Sequence, residues 1–221
     1  YSETLKFGIA QNPQNLHPHL NRDAVSEKIV DLVYEKIFVL DFAFNLTSDF
    51  IEYKKINDKR YLLKIKQFNK FFSNGQKLTE KDILFSIQSN IDNPLSKFHE
   101  DLKSIESIQL SKNNILIKLK NNDPYFLYKL CLPIIPFNIK ELGVDLSLKS
   151  VGSGNFKILE TKPNVLLERA DGLMVKFIEI KDPSVRALKI INREIDLLQN
   201  DLPLPIIKLL QNKRGIYKNF L

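Results

Sequence analysis

The strongest constraint on the fold is a change of hydrophobic period within the first forty residues. Leu5, Phe7 and Ile9 alternate with Lys6 and Gly8, the two-residue repeat of a half-buried strand over residues 4–10. After a loop rich in Asn and Pro (Asn12, Pro13, Asn15, Pro18, Asn21), Val25, Ile29, Leu32, Val33 and Ile37 recur at helical spacing. Strand, polar loop and amphipathic helix together open an α/β layer.

The middle of the chain reads differently. Two strand-like runs, 48–56 and 60–67, meet at Asn57-Asp58-Lys59, and a second pair, 104–110 and 114–120, turns at Asn113-Asn114. Ile115, Ile117 and Leu119 point one way and Lys118 and Lys120 the other. Between the pairs, Thr79 is an N-cap and Asp82, three residues on, can return a bond as in a capping box, which predicts a helix over about 80–91. Asp123-Pro124 starts a short helix. From 150 the α/β character returns. Gly152-Ser153-Gly154 reads as a turn, followed by strands at 155–161, 164–169 and 174–180. Asp182-Pro183 then caps a helix with Val185, Leu188 and Ile191 along one face. A short strand, Ile195 to Leu198, and a helix from Pro203 to Leu210 follow. The expected class is α/β with a mixed sheet: a core from residues 1–42 and 151–221, with a hairpin-rich subdomain, 43–150, inserted between.

Every apolar run is broken well short of the roughly 18 residues a membrane span needs, which predicts a soluble chain. Leu130 to Phe137 is the densest run, and its two prolines favour a short buried element. The net charge of +7 invites a nucleic-acid reading, but the basic residues alternate with apolar ones or form short clusters (Lys54-Lys55, Lys59-Arg60, Lys213-Arg214). No basic arm is formed, and no nucleic-acid partner is expected.

Chemistry-bearing motifs are sparse. Cys131 is the only cysteine, so neither an intramolecular disulfide nor a cysteine metal cage is available, and the compartment stays open. His17 and His19 could share a metal, but His99 is far away in sequence and a site needs three or four ligands; no metal is expected. Gly152-Ser153-Gly154 lacks the lysine of a phosphate loop and the third glycine of a dinucleotide fingerprint, so no cofactor is expected. There is no Gly-x-Ser-x-Gly elbow, and Glu106, Asp123 and Asp196 sit on separate elements with nothing to pair them. The chain does not read as an enzyme.

Several segments together resemble the peptide-type (family 5) solute-binding proteins of bacterial ABC importers. Asn15-Leu16-His17-Pro18-His19 followed by Leu32-Val33-Tyr34-Glu35-Lys36-Ile37 is similar to that family's entrance. The most specific match is Asn74-Gly75-Gln76-Lys77-Leu78-Thr79-Glu80-Lys81-Asp82-Ile83-Leu84-Phe85-Ser86. Val151-Gly152-Ser153-Gly154-Asn155-Phe156 resembles its Gly-Thr-Gly-Pro-Tyr turn. Arg186-Ala187-Leu188 with Arg193-Glu194-Ile195-Asp196-Leu197 resembles a later segment. Lys36 and Arg193 stand where the family has glycine, and Asn155 where it has proline, so the local backbone at these points is expected to differ.

The resemblance implies a periplasmic-binding-protein-like type II fold, here as a first lobe, since family members are about twice this length. It also implies capture of a peptide or other small solute, ABC permease subunits as partners, a membrane-peripheral role, and a periplasmic or extracellular-facing location. The first-lobe ligand contacts would fall on Asn21, Arg22, Asp23, Ala24 and Val25, with the Gly152, Ser153, Gly154 and Asn155 turn as a second candidate. Arg22 would pair with a ligand carboxylate, unless it is simply a solvated loop arginine. One lobe offers about half a binding wall, so weak binding by this chain alone is expected. A non-transport interaction module that keeps only this lobe is the alternative. Continuation of the gene past Leu221 would separate the two readings.

Overall fold

The computed structural model describes residues 4–66, 69–199 and 201–213. Tyr1 to Glu3, the end of the predicted 60–67 run at Gln67, and Arg214 of the last basic cluster lie outside the described residues. The chain divides into two units, residues 1–14 with 156–221, and residues 15–155.

In chain order, β1 (Thr4–Ile9) belongs to the first unit. The second unit then contributes α1 (Ala24–Val33), β2 (Val39–Leu40), β3 (Leu46–Thr47), β4 (Ile51–Asn57), β5 (Arg60–Ile65), α2 (Glu80–Asp92), α3 (His99–Leu102), β6 (Ile105–Ser111) and β7 (Asn114–Leu119), with a 3-10 helix at Phe126–Leu130. The chain returns to the first unit with β8 (Phe156–Glu160), β9 (Val165–Arg169), β10 (Met174–Glu179), α4 (Pro183–Ile191), β11 (Leu197–Leu198) and α5 (Leu204–Gln211).

The first unit is a mixed sheet of order β11-β1-β10-β9-β8. β1 runs parallel to β10 and β11, pairing Phe7 with both Phe177 and Leu197, while β9 is antiparallel to β10 and β8. The Phe7 and Phe177 rings stack at 5.2 Å between centroids. Gly8 lets Ile195 close over the sheet, since a Cβ there would stand 2.7 Å from the Ile195 Cδ1. Asp182 caps α4 as expected, accepting from the Ser184 and Val185 N–H groups at 2.8 and 2.9 Å. The face of α4 that turns inward is unexpected. Arg186 and Ala187 are buried, whereas Val185 and Leu188 are exposed. The Arg186 guanidinium is held by Ile180 O at 2.6 Å, Lys181 O at 3.0 Å and Asp201 at 3.1 Å. A buried arginine with that many acceptors outweighs the apolar pattern.

The second unit is built on an antiparallel sheet of order β4-β5-β7-β6. Tyr61, Leu63 and Ile65 of β5 and Ile115, Ile117 and Leu119 of β7 form its buried face. α2 packs on β6 and β7 and buries Ile83 and Ile87. At about 1.5–3 kcal/mol per buried aliphatic side chain, this layer dominates the unit's stability. The β6–β7 turn lies one residue earlier than expected: Ser111 pairs with Asn114, and Lys112 takes the left-handed conformation (φ 54°).

α1 buries Val25, Ile29 and Val33 of the expected stripe and Val30 besides, leaves Leu32 half-buried, and ends at Val33 rather than Ile37. Tyr34 is already extended (φ −113°, ψ 133°), and Lys36 bridges to Pro133 instead of extending the helix. The β2–β3 hairpin and the short α3 carry no strong periodic signal, and sequence reading misses both.

Candidate functional site

The loop that leads into α1 is shaped by its own side chains. Asn15 Oδ1 accepts the His17 N–H at 2.8 Å, and His17 O accepts from Leu20 and Asn21 at 3.2 and 3.1 Å. Asp23 then caps the helix, its carboxylate accepting from Ser26 N at 2.9 Å and Ser26 Oγ at 2.5 Å. Asn21 is fully buried, its Oδ1 accepting from Lys97 Nζ at 2.6 Å, and Lys97 also contacts Glu27. Arg22 is exposed and donates from Nη2 to Leu95 O at 3.1 Å.

Asn21, Arg22, Asp23 and Ala24 line a solvent-open depression of about 610 Å³, together with Glu27, Lys97, Phe98, Asp101 and Cys131. Val25 stands behind this wall in the core, 2% exposed. The N–H groups of Ala24 and Val25 belong to the first helical turn and have no partner within the helix, so this end of α1 favours acceptor and anionic groups. Burial pushes the Cys131 thiol up from its ordinary value against the opposing pull of Lys36, which leaves it a protonated wall group.

The second candidate segment lies at the other end of the same helix, roughly 15 Å away for ten residues. Gly154 N–H donates to Val33 O at 2.8 Å, and Gly152 O accepts from Ser73 N at 2.8 Å. A Cβ on Gly152 would stand 2.0 Å from Val33 O, so this backbone passes directly against the last turn of α1. Ser153 is buried, and only Asn155 is exposed. The structure therefore places Asn21 to Ala24 together in one wall and gives Gly152 to Gly154 a bracing position.

What holds the loop in place is a buried polar ladder that sequence reading overlooks. Asp82, Ser86 and Asn90 are spaced four apart on α2 and are all fully buried. The Asp82 carboxylate accepts from Thr79 N at 2.7 Å and Thr79 Oγ1 at 2.8 Å, as the capping-box spacing suggests, and also from Phe137 N at 2.8 Å. Burial nonetheless pushes its pKa above the ordinary carboxylate value. Ser86 Oγ donates to Asp82 O at 2.7 Å and accepts from Ile135 N at 2.9 Å. Asn90 Nδ2 donates to Ser86 O at 2.6 Å and His19 Nδ1 at 3.1 Å.

His19 Nε2 lies 2.8 Å from Pro133 O, which can only accept. The proton therefore resides on Nε2, and Nδ1 is the acceptor for Asn90. Burial lowers the His19 pKa to about 3, and burial also lowers that of His17. The two rings stand 5.8 Å apart, with His17 Nδ1 accepting from the His19 backbone N–H at 3.1 Å. Both His19 ring nitrogens and His17 Nδ1 are thus occupied in shaping the loop. Among the described residues no cluster of three or more His, Cys, Asp or Glu is placed to hold a metal. The signal for the ladder was legible in principle: polar residues at i, i+4 and i+8 among the apolar positions of one amphipathic helix.

A mixed β-sheet unit joined to a hairpin-rich unit, with a helix N-terminus opening on a depression, defines a periplasmic-binding-protein-like α/β fold. The chain belongs to the bacterial extracellular solute-binding proteins, family 5, whose "Middle" family model matches residues 51–219.

Solved structures agree on the fold. The chain is similar to NikZ from Campylobacter jejuni in complex with Ni(L-His) (TM-score 0.81, 19% identity, covering 96% of this chain and 45% of that one). It is similar to the oligopeptide-binding protein AppA from Bacillus subtilis in complex with a nonapeptide (TM-score 0.79, 22% identity, 96% and 46%). It is also similar to the periplasmic binding protein DppA from Helicobacter pylori in complex with the peptide STSA (TM-score 0.84, 19% identity, 97% and 49%). The chain thus spans about half the length of these structures. Comparison with curated proteins returns no match. Among the described residues no helix is long and apolar enough to cross a membrane.

Proposed function

We propose that this chain is the first lobe of the substrate-binding component of an ABC importer, and that it captures peptides or similar small solutes on the extracellular or periplasmic side of a bacterial membrane. The observation that carries this reading is the depression at the N-terminus of α1. Asn21, Arg22, Asp23 and Ala24 line it, and it is open on one side, a wall rather than an enclosure.

The role of each group follows from its chemistry. The N–H groups at this end of α1, which have no partner within the helix, suit a peptide carbonyl or carboxylate. Recognition through main-chain groups tolerates many side chains. Arg22 spends one nitrogen on Leu95 O and keeps further donors for a ligand carboxylate. Asn21 and Lys97 are positioning residues that fix the loop from behind. The chain acts by binding, with ABC permease subunits as its partners, and not by catalysis.

Hinge closure onto a second lobe would complete the site. Isothermal titration of this chain with mixed di- to pentapeptides is therefore expected to show weak heat or none, and low-micromolar affinity would overturn the half-wall reading. Amide-resolved NMR at about millimolar peptide, a concentration suited to weak binding, is expected to perturb Asn21 to Ala24. Perturbation confined to residues away from that loop would overturn the site assignment.

A further inference from the structure

The β2–β3 hairpin presents large apolar side chains to solvent on a backbone that is closed upon itself. Phe42 is 93% exposed and Phe44 74%, with Val39 and Leu40 also exposed beneath them. The apex is fixed by Asp41. Its Oδ1 accepts from Ala43 N and Asn45 N at 2.8 Å each, and its Oδ2 from Asn45 Nδ2 at 3.0 Å. Asp41 N donates to Asn45 O and Phe44 N to Asp41 O, both at 3.0 Å. Four of the five backbone N–H groups from Asp41 to Asn45 are thus satisfied inside the turn. The same bonds hold Phe44 in the left-handed region (φ 61°), where an aromatic residue is strained. A turn that retains strain while displaying two phenyl rings is built for display.

What lies at the base of the hairpin is strongly basic. Phe38, which leads into β2, meets Tyr53 of β4 edge-on at 5.9 Å. The β4–β5 ribbon over residues 51–66 carries six basic residues against two acidic ones, Glu52 and Asp58. An apolar apex next to a cationic ribbon is the charge pattern that complements an anionic lipid surface. The closed backbone favours lipid over a protein groove. The acyl boundary supplies no hydrogen-bond partners, and this apex brings almost no open N–H groups that would need them.

We propose that the β2–β3 hairpin is a membrane-interface anchor, with Phe42 and Phe44 entering the headgroup region of an anionic bilayer and the β4–β5 lysines supplying the electrostatic attraction. This attachment is separate from the ligand loop and involves no spanning segment.

The chain contains no tryptophan, so Phe42→Trp installs a single indole reporter at the apex. With vesicles of phosphatidylcholine containing about 30% phosphatidylglycerol, its emission is expected to shift to the blue, and the shift is expected to shrink in pure phosphatidylcholine or at about 0.5 M salt. In co-sedimentation of the full chain, Phe42→Ser with Phe44→Asn is expected to lower the vesicle partition coefficient at least about tenfold. Asn tolerates the left-handed conformation, and an unchanged melting temperature checks that the double variant is folded. Three results would overturn the proposal: emission that vesicles do not move, a double variant that partitions like the parent, or a blue shift that follows protein concentration without lipid. The last would mark a second copy of the chain as the occupant.

Discussion

Gly154 donates its N–H to the carbonyl oxygen of Val33 at 2.8 Å, and that bond closes the last turn of α1 from outside the helix. Two residues earlier, a Cβ on Gly152 would lie 2.0 Å from the same oxygen. A helix C-terminus leaves four carbonyls without helical partners, and here a distant segment satisfies one of them by coming too close for any side chain. Gly152→Ala is therefore expected to destabilise the protein by about 2–4 kcal/mol in urea unfolding. Gly75→Ala is the control. Gly75 has open space around it and only a left-handed φ of 86°, so the cost should be about 1 kcal/mol.

The α2 ladder makes a second prediction. Asp82→Ala leaves the part-buried Thr79 and Phe137 N–H groups without their acceptor, and should cost about 1–3 kcal/mol. Ser86→Ala removes the acceptor for Ile135 N–H and should cost about 1–3 kcal/mol. Because the two residues share one network, the double variant should fall short of the sum.

The buried neutral His19 gives a pH dependence with a definite sign. Its pKa falls from 6.5 to about 3 on folding, so between those values the unfolded chain binds the extra proton. The stabilisation is complete above pH 6.5 and is lost as the pH falls toward 3, with a limiting slope of about 1.4 kcal/mol per pH unit. Asp82 works in the opposite sense, since its raised pKa makes the folded state bind the proton above pH 3.8. Comparing His19→Gln with the parent isolates the histidine, and the variant should show a shallower loss of stability on acidification.

Arg193 sits just past α4 in the left-handed region (φ 58°), at a position where the family resemblance expects glycine. That conformation is one that favours glycine and costs a residue with a side chain. Arg193→Gly should raise stability by about 0.5–1 kcal/mol, read as a higher urea midpoint.

Arg22→Ala tests the ligand loop without disturbing the fold. The side chain is exposed and makes one bond to Leu95 O, so stability should change by less than about 0.5 kcal/mol. The NMR shifts that a peptide with a free C-terminus induces at Asn21 to Ala24 should shrink. Those induced by the same peptide amidated at its C-terminus should change little. Equal loss for both peptides would remove the carboxylate role of Arg22.

Much of this architecture was legible in residue order. Period-two runs located β1, β5 and β7, a strand-like run located β10, helical spacing located α1 and α2, and Thr79–Asp82 and Asp182–Pro183 marked the starts of α2 and α4. These signals are local, because a strand's alternation and a helix's cap are set by neighbours within a few residues. The loop at Asn21 to Ala24 was singled out through family resemblance, whereas the capping role of Asp23 came from the structure.

Only the tertiary structure decided which face of α4 turned inward, since the acceptors that bury Arg186 come from Ile180, Lys181 and Asp201. It also decided that Gly152 to Gly154 braces the far end of α1 instead of joining Asn21 in one wall, and that Asp82, Ser86 and Asn90 form a ladder to Pro133–Phe137 and His19. Each of these is a bond between groups far apart in the chain. No local pattern encodes the partner, and only the packed fold brings donor and acceptor within hydrogen-bond reach.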